Sequence, residues 1–260
     1  MPTIAILGAG PGLGLGVAHR YGKEGYDVVL VARREEKLAE YAAGLATDGV
    51  TASTVVGDLT DLDHFAALAA RIRDAGGEPD VIYFAPTVSG MSFAKAVDLT
   101  TKAAEGNNRL LFLSLVAAVQ EFLPHMLEQG KGAILTAQGA TTLEALPGMS
   151  GPGPAMAAQR HYLTSLEKEV SPGGVFVGRL YISGLIKGSA IDQMMRQRRG
   201  PDAKDIPGMV SPGALAEKLW KMQQGGRKHE AVVPWFGKTM TRMMASPRMQ
   251  KRMQQAMDSQ

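Results

Sequence analysis

Short apolar runs recur along this chain, and helix-length stretches separate them. Thr3–Leu7, Asp27–Val31, Thr51–Val56, Asp80–Phe84, Gly132–Thr136, Val175–Tyr181 and Glu230–Val233 read as strands. Several of these runs are continuously apolar and β-branched, as strands covered on both faces should be. Helices are expected over Leu13–Lys23, Glu35–Ala46, Asp61–Ala75, Asn107–Gln129, Pro154–Val170 and Pro212–Gln224. Asp61 is the expected N-cap of the third, and Pro124 should bend or end the fourth. Pro212 suits a first helical position. Repeated β-α-β with short connections leaves few choices: one parallel sheet, right-handed crossovers and helices on both faces. The expected fold is α/β, a doubly wound single domain over 1–234. A Met-rich basic helical tail is expected over 235–260.

A chain of 260 residues can bury one sizeable core, and nothing in it repeats. It has no cysteine, which removes disulfides and thiolate metal sites. His19, His64, His125, His161 and His229 lack ligand spacing, so no metal centre is expected. No stretch comes near the roughly twenty unbroken apolar residues of a membrane span. Met1-Pro2-Thr3-Ile4 runs into a strand without a charged leader, so a cytoplasmic protein is expected. The formal charge of +3 is mild, and basic residues gather at Arg196, Arg198 and Arg199 and from Lys238 to Arg252. Without interleaved aromatics, such runs describe solvated faces rather than nucleic-acid binding.

The first strand opens into Gly8-Ala9-Gly10-Pro11-Gly12-Leu13-Gly14, at the entry of the first helix. Orphan N–H groups and the positive helix end meet there, and glycines let a phosphate approach without a Cβ in the way. In this place the turn points to a dinucleotide pyrophosphate and makes the fold Rossmann-type. The second strand ends in Ala32-Arg33-Arg34 rather than in an acidic residue for a ribose 2′-hydroxyl. Arginines there suit a 2′-phosphate, each charge-assisted bond being worth about 1.5–3 kcal/mol. The expected cofactor is NADP(H). Arg33 and Arg34 also read as ordinary surface charges that Glu35 and Glu36 would pair with.

Gly8, Gly12 and Gly14 satisfy Gly-x3-Gly-x-Gly. With Leu123-Pro-His-Met126 and Gly132-Ala-Ile-Leu135, the chain resembles the short-chain dehydrogenase/reductase family over nearly its whole length. The resemblance implies an adenine contact at Asp58-Leu59 and cofactor contacts at Ala85 and Ile186. Asp58 also reads as a plain polar turn. The resemblance further implies a substrate lid over 187–210 and homo-oligomers through the helices at 107–129 and 154–170. The arginines of that lid would suit an acidic ligand.

The likeness breaks at the chemistry. Aligned without gaps, the family's catalytic Ser, Tyr and Lys fall on Gly139, Pro152 and Met156, and its helix-borne Asn falls on Leu111. Asn107 and Asn108 lie one turn earlier on roughly the same face. The family's Asn-Asn-Ala-Gly becomes Phe84-Ala85-Pro86-Thr87, and its Pro-Gly becomes Ser183-Gly184. General acid–base catalysis contributes about 10²–10⁴-fold, so a carbonyl reductase built here without substitutes would be slow. Met156 cannot replace an ammonium on a ribose. Tyr162, with Leu166 four residues on, makes no Tyr-x3-Lys pair and reads as helix packing. Tyr181 reads as buried packing. Gln138, Thr141, Thr142 and Glu144 follow the fifth strand, where Thr141 or Glu144 could donate a proton or simply be solvated.

The expected activity is an atypical NADP(H)-binding oxidoreductase acting on a small apolar carbonyl or activated alkene. The alternative is a catalytically silent NADP(H)-binding relative, a sensor or the partner of an active subunit. Six methionines between Met240 and Met257, interleaved with basic residues, would make the tail helix an adaptable apolar contact.

Overall fold

The runs expected to be covered on both faces are so covered in the computed structural model, which describes residues 1–87, 94–199, 208–234 and Ser246. The strands are β1 (Thr3–Leu7), β2 (Asp27–Ala32), β3 (Ala52–Val56), β4 (Val81–Phe84), β5 (Gly132–Gly139), β6 (Val175–Ile182) and β7 (Glu230–Val233). They pair in parallel in the order β3-β2-β1-β4-β5-β6-β7. Every residue of β1, β4 and β6 is buried, because apolar layers cover both sides.

Strand alternation sends Ile4, Ile6, Tyr83, Leu135 and Leu180 to one core. Ala5, Leu7, Phe84, Ile134 and Val177 go to the other. The first layer holds α1 (Leu13–Gly22), α2 (Glu35–Thr47) and α8 (Pro212–Gly225). Gly16 lets α8 close on α1, since a Cβ there would sit 3.0 Å from the Pro212 carbonyl oxygen. The second layer holds α3 (Phe65–Gly76), α5 (Ser114–Glu128) and α6 (Gly153–Val170).

Four local expectations need correction. Asp61 does not cap α3, which starts at Phe65. Its N–H instead donates to the Asp58 carbonyl and its carboxylate pairs with His64 Nδ1 at 3.0 Å, both inside an extra turn before the helix. The helix expected from Asn107 begins earlier, as α4 (Thr101–Asn108), with Thr100 Oγ1 accepting from the Ala103 N–H. It passes through a π-turn at Arg109–Leu113 into α5, and Pro124 does not end it. By length and composition this continuous helix, Thr101–Glu128, is long and apolar enough to cross a membrane, although its apolar run is interrupted. Its inner face, Leu115, Ala118, Val119, Phe122 and Met126, is built into the core.

The fourth correction is an added element. A helix that hydrophobic periodicity did not reveal, α7 (Ala190–Arg199), occupies the lid segment. Ser189 Oγ accepts from the Asp192 N–H at 3.2 Å, and the Asp192 carboxylate accepts from the Gly188 N–H at 2.8 Å. Ser189-x-x-Asp192 was the readable signal. Residues 200–207 of the lid and the expected tail helix, Ser246 apart, lie outside the described residues.

Candidate active site

At the carboxyl edge of the sheet, β1 leads through the glycine turn into α1. Gly8 and Gly12 hold φ of 92° and 96°, a region costly for side-chain-bearing residues. A Cβ on Gly8 would lie 2.7 Å from Pro86 Cα, and one on Gly12 3.1 Å from Ser189 Cα. The turn is therefore pressed between the exit of β4 and the segment after β6. Gly8 and Ala9 both donate their N–H to the Val31 carbonyl, at 3.0 and 2.8 Å. The N–H groups of Gly10, Gly12, Leu13 and Gly14 have no backbone partner among the described residues. With no acidic side chain in the first turn of α1, they form a seat for an anion. The Leu13 side chain is buried, so it offers only its backbone. A Cβ on Gly14 would meet Ala9 at ordinary contact distance.

Arg33 and Arg34 follow β2 and are exposed. Neither side chain makes a hydrogen bond or ion pair among the described residues, so the pairing with Glu35 and Glu36 does not form. Arg34 is the N-cap residue of α2. Asp58 Oδ1 accepts from the Thr60 N–H at 2.9 Å and the Thr60 hydroxyl at 2.8 Å. Partial burial opposes its charge, yet those bonds and the nearby Arg33 and Arg109 hold its carboxyl below the usual range. Leu59 sends its side chain into the core, leaving only its backbone for a ligand.

Ala85 leaves β4 with its N–H on the Leu7 carbonyl. Ile186 forms a parallel bridge with Val210, which ties the two ends of the lid segment together. Gly184 permits that closure, since a Cβ there would stand 2.5 Å from the Gly208 oxygen.

Of the three positions aligned with Ser, Tyr and Lys, one ends β5 and two lie at the start of α6. Gly139 is its last residue, in extended conformation with φ −63° and ψ 142°. Pro152 is the N-cap of α6, and Met156 lies one turn along, its N–H on the Pro152 carbonyl at 3.0 Å. Asn107, buried on α4, donates Nδ2 to the Gly151 carbonyl at 2.9 Å and so fixes the entry to α6. Asn108 is exposed.

Beneath the strand end runs a chain of carboxamides. Gln138 Nε2 donates to Gln159 Oε1, and Gln159 Nε2 donates to the Leu111 carbonyl inside the π-turn. The Leu110 carbonyl of the same turn accepts from Ser114 Oγ at 2.5 Å. Wide turns of this kind often stand at functional sites. Gln138 Oε1 and Ser183 Oγ are both buried without a partner among the described residues. Gln138 and Gln159 look like ordinary polar residues in the sequence, and their burial is visible only in the fold.

The phenols of the neighbourhood are buried or packed against other side chains. The Tyr181 hydroxyl donates to Glu230 Oε1 at 3.1 Å, and burial, then Glu230, pushes the phenol well above its ordinary range. Arg160 and Arg179 complete that network, Arg179 also binding Glu167 and the Leu163 carbonyl. Tyr181 is buried as expected, and hydrogen-bonded as well. Tyr162 packs edge-on against Phe112, with ring centroids 6.0 Å apart. Tyr83 is fully buried, which raises its phenol strongly. Glu144 is exposed, and Thr142 Oγ1 donates to the Gly139 carbonyl at 2.8 Å. Among the described residues no cluster of three or more acidic or histidine side chains could hold a metal ion.

Residues 2–199 match the family described as short chain dehydrogenase. A fatty acyl-CoA reductase of Acinetobacter baylyi is 32% identical over 133 residues, half of this chain but only 44% of that protein. The chain thus spans less than half the length of that relative. Among solved structures, a variant of actinorhodin polyketide ketoreductase with NADPH superposes with a TM-score of 0.79 at 18% identity, over 91% of this chain and 97% of that one. A short chain oxidoreductase from Pseudomonas aeruginosa PAO1, described as containing an atypical catalytic center and bound to NADPH, gives 0.77 at 21% identity, over 89% and 95%.

Proposed function

The chain belongs to the short chain dehydrogenase family, and from that premise we propose an NADP(H)-binding oxidoreductase that works without the Ser-Tyr-Lys set. Its substrate is a small apolar carbonyl or an activated alkene. The observation that carries the cofactor half is the glycine turn, four free N–H groups at a helix start walled by Pro86 and Ser189. Gly8, Gly10, Gly12, Leu13 and Gly14 would take the diphosphate, and Arg33 and Arg34 the 2′-phosphate. Asp58 and the backbone of Leu59 would border the adenine, with Ala85 and Ile186 along the ribose and nicotinamide. NADPH in two proteins of the same fold agrees with this.

When bound, the reduced nicotinamide supplies a hydride. Around it, Gly139, Pro152 and Met156 present neither an acid nor an ammonium, so no side chain there delivers a proton quickly. A conjugated alkene depends least on an acid aimed at oxygen and suits this site best. Proximity supplies the rest of the rate. The same lack of an acid and an ammonium favours a second reading, a silent NADP(H)-binding sensor or partner subunit.

Calorimetric titration tests the cofactor half. NADPH should bind at micromolar concentration and NADH at least about tenfold more weakly, a gap of about 1.4 kcal/mol. Arg33→Ala should weaken NADPH and spare NADH. Equal loss for both would sink the 2′-phosphate assignment, and binding of neither would remove the oxidoreductase reading. Turnover then separates the enzyme from the silent relative.

A further inference from the structure

The strand end that lost its side chain has a hydroxyl beside it. After Gly139 the chain turns through a 3₁₀ segment, Ala140–Thr142. Within it the Thr142 hydroxyl is consumed by the Gly139 carbonyl, at 2.8 Å. Thr141 differs. Its hydroxyl makes no hydrogen bond among the described residues and stands 3.3 Å from where a Cβ on Gly139 would lie. The missing side chain at 139 leaves the Thr141 hydroxyl facing open space at the carboxyl edge of the sheet, where ligands of such folds bind. Gln138 Nε2 and the Tyr181 hydroxyl are already taken, by Gln159 and Glu230.

We propose that Thr141 is a catalytic residue, its hydroxyl donating the hydrogen bond that receives the substrate oxygen in the space left by Gly139. The proposal rests on the oxidoreductase reading. With the cofactor bound, the reduced nicotinamide would supply a hydride to the substrate carbon as the C=O π pair moves onto oxygen. Thr141 donates to that oxygen as charge develops, and solvent water supplies the proton that completes the alcohol. For a conjugated alkene the same oxygen becomes an enolate, which takes its proton from water at carbon. A donor placed in advance at such an oxygen is worth about 10²–10³-fold when fully enclosed. At this half-exposed turn about 10–100-fold is expected.

The probe is 9,10-phenanthrenequinone, an apolar dicarbonyl, with oxidation of NADPH followed by absorbance and NADPH affinity measured separately by calorimetry. Thr141→Ala should lose about 10–100-fold in kcat/KM for the quinone with NADPH affinity unchanged. Thr141→Ser should keep most of the rate. Adding Gly139→Ser to Thr141→Ala should restore it, because the new hydroxyl enters the same space. Wild-type rates in Thr141→Ala overturn the assignment, and so does failure of the added serine to rescue. A wild-type protein that binds NADPH yet leaves the quinone untouched overturns Thr141 and spares the cofactor site. Absence of NADPH binding takes down the oxidoreductase reading, and Thr141 with it.

Discussion

The glycines of one turn carry unequal loads. Gly8 combines a φ of 92° with Pro86 Cα 2.7 Å from any added Cβ, whereas an added Cβ on Gly10 meets nothing closer than 3.9 Å. Gly8→Ala is therefore strained in its backbone and displaces the exit of β4, a loss of more than about 1 kcal/mol. Gly10→Ala should melt within about 0.5 kcal/mol of wild type. Thermal melts with and without NADPH check this: Gly8→Ala should melt lower and lose the upward shift on adding cofactor, while Gly10→Ala keeps its stability. Equal melting of the two would mean that the turn can relax away from Pro86. On the proposed alignment Met156 is the opposite case, a position whose backbone is ordinary and whose meaning lies in its side chain.

Three elements meet at the carboxamide chain. Gln138 belongs to β5, Gln159 to α6 and the Leu111 carbonyl to the π-turn between α4 and α5. Gln159 is 3% exposed, so Leu in its place would orphan both the Leu111 carbonyl and Gln138 Nε2 in the interior. Each buried orphan costs about 1–3 kcal/mol. Gln159→Leu should lower the melting temperature by several degrees and speed amide exchange around 109–113. A melt unchanged from wild type would show that a water replaces the amide. Within the π-turn, the carbonyls of Leu110 and Leu111 also accept from the side chains of Ser114 and Gln159.

At the scale of the whole molecule, the sheet order brings the ends of β1, β4, β5 and β6 side by side, so the cofactor turn and the end of β5 share one edge. On the proposed alignment, that frame stands without its reactive side chains. Pro152 and Met156 stand one turn apart, and a Cβ on Gly139 would meet only Thr141 Oγ1, at 3.3 Å. The triple change Gly139→Ser, Pro152→Tyr, Met156→Lys should raise NADPH-dependent reduction of 9,10-phenanthrenequinone by about 10²-fold or more. A folded, NADPH-binding triple variant no faster than wild type would show that the frame has moved as well as its side chains. The sequence alone determined the strands, the sheet-and-layer plan and the place of the glycine turn, because continuous apolar runs and glycines at a strand-to-helix handover are local signals. It did not disclose the extra turn before α3, the π-turn, α7 under its Ser189 cap, or the burial of Gln138 and Gln159. Those depend on which groups meet across layers, and polar residues read alike in sequence whether solvated or enclosed. Only the tertiary structure decided that the Thr142 hydroxyl is bonded while that of Thr141 makes no hydrogen bond among the described residues, since both are threonines on one short turn.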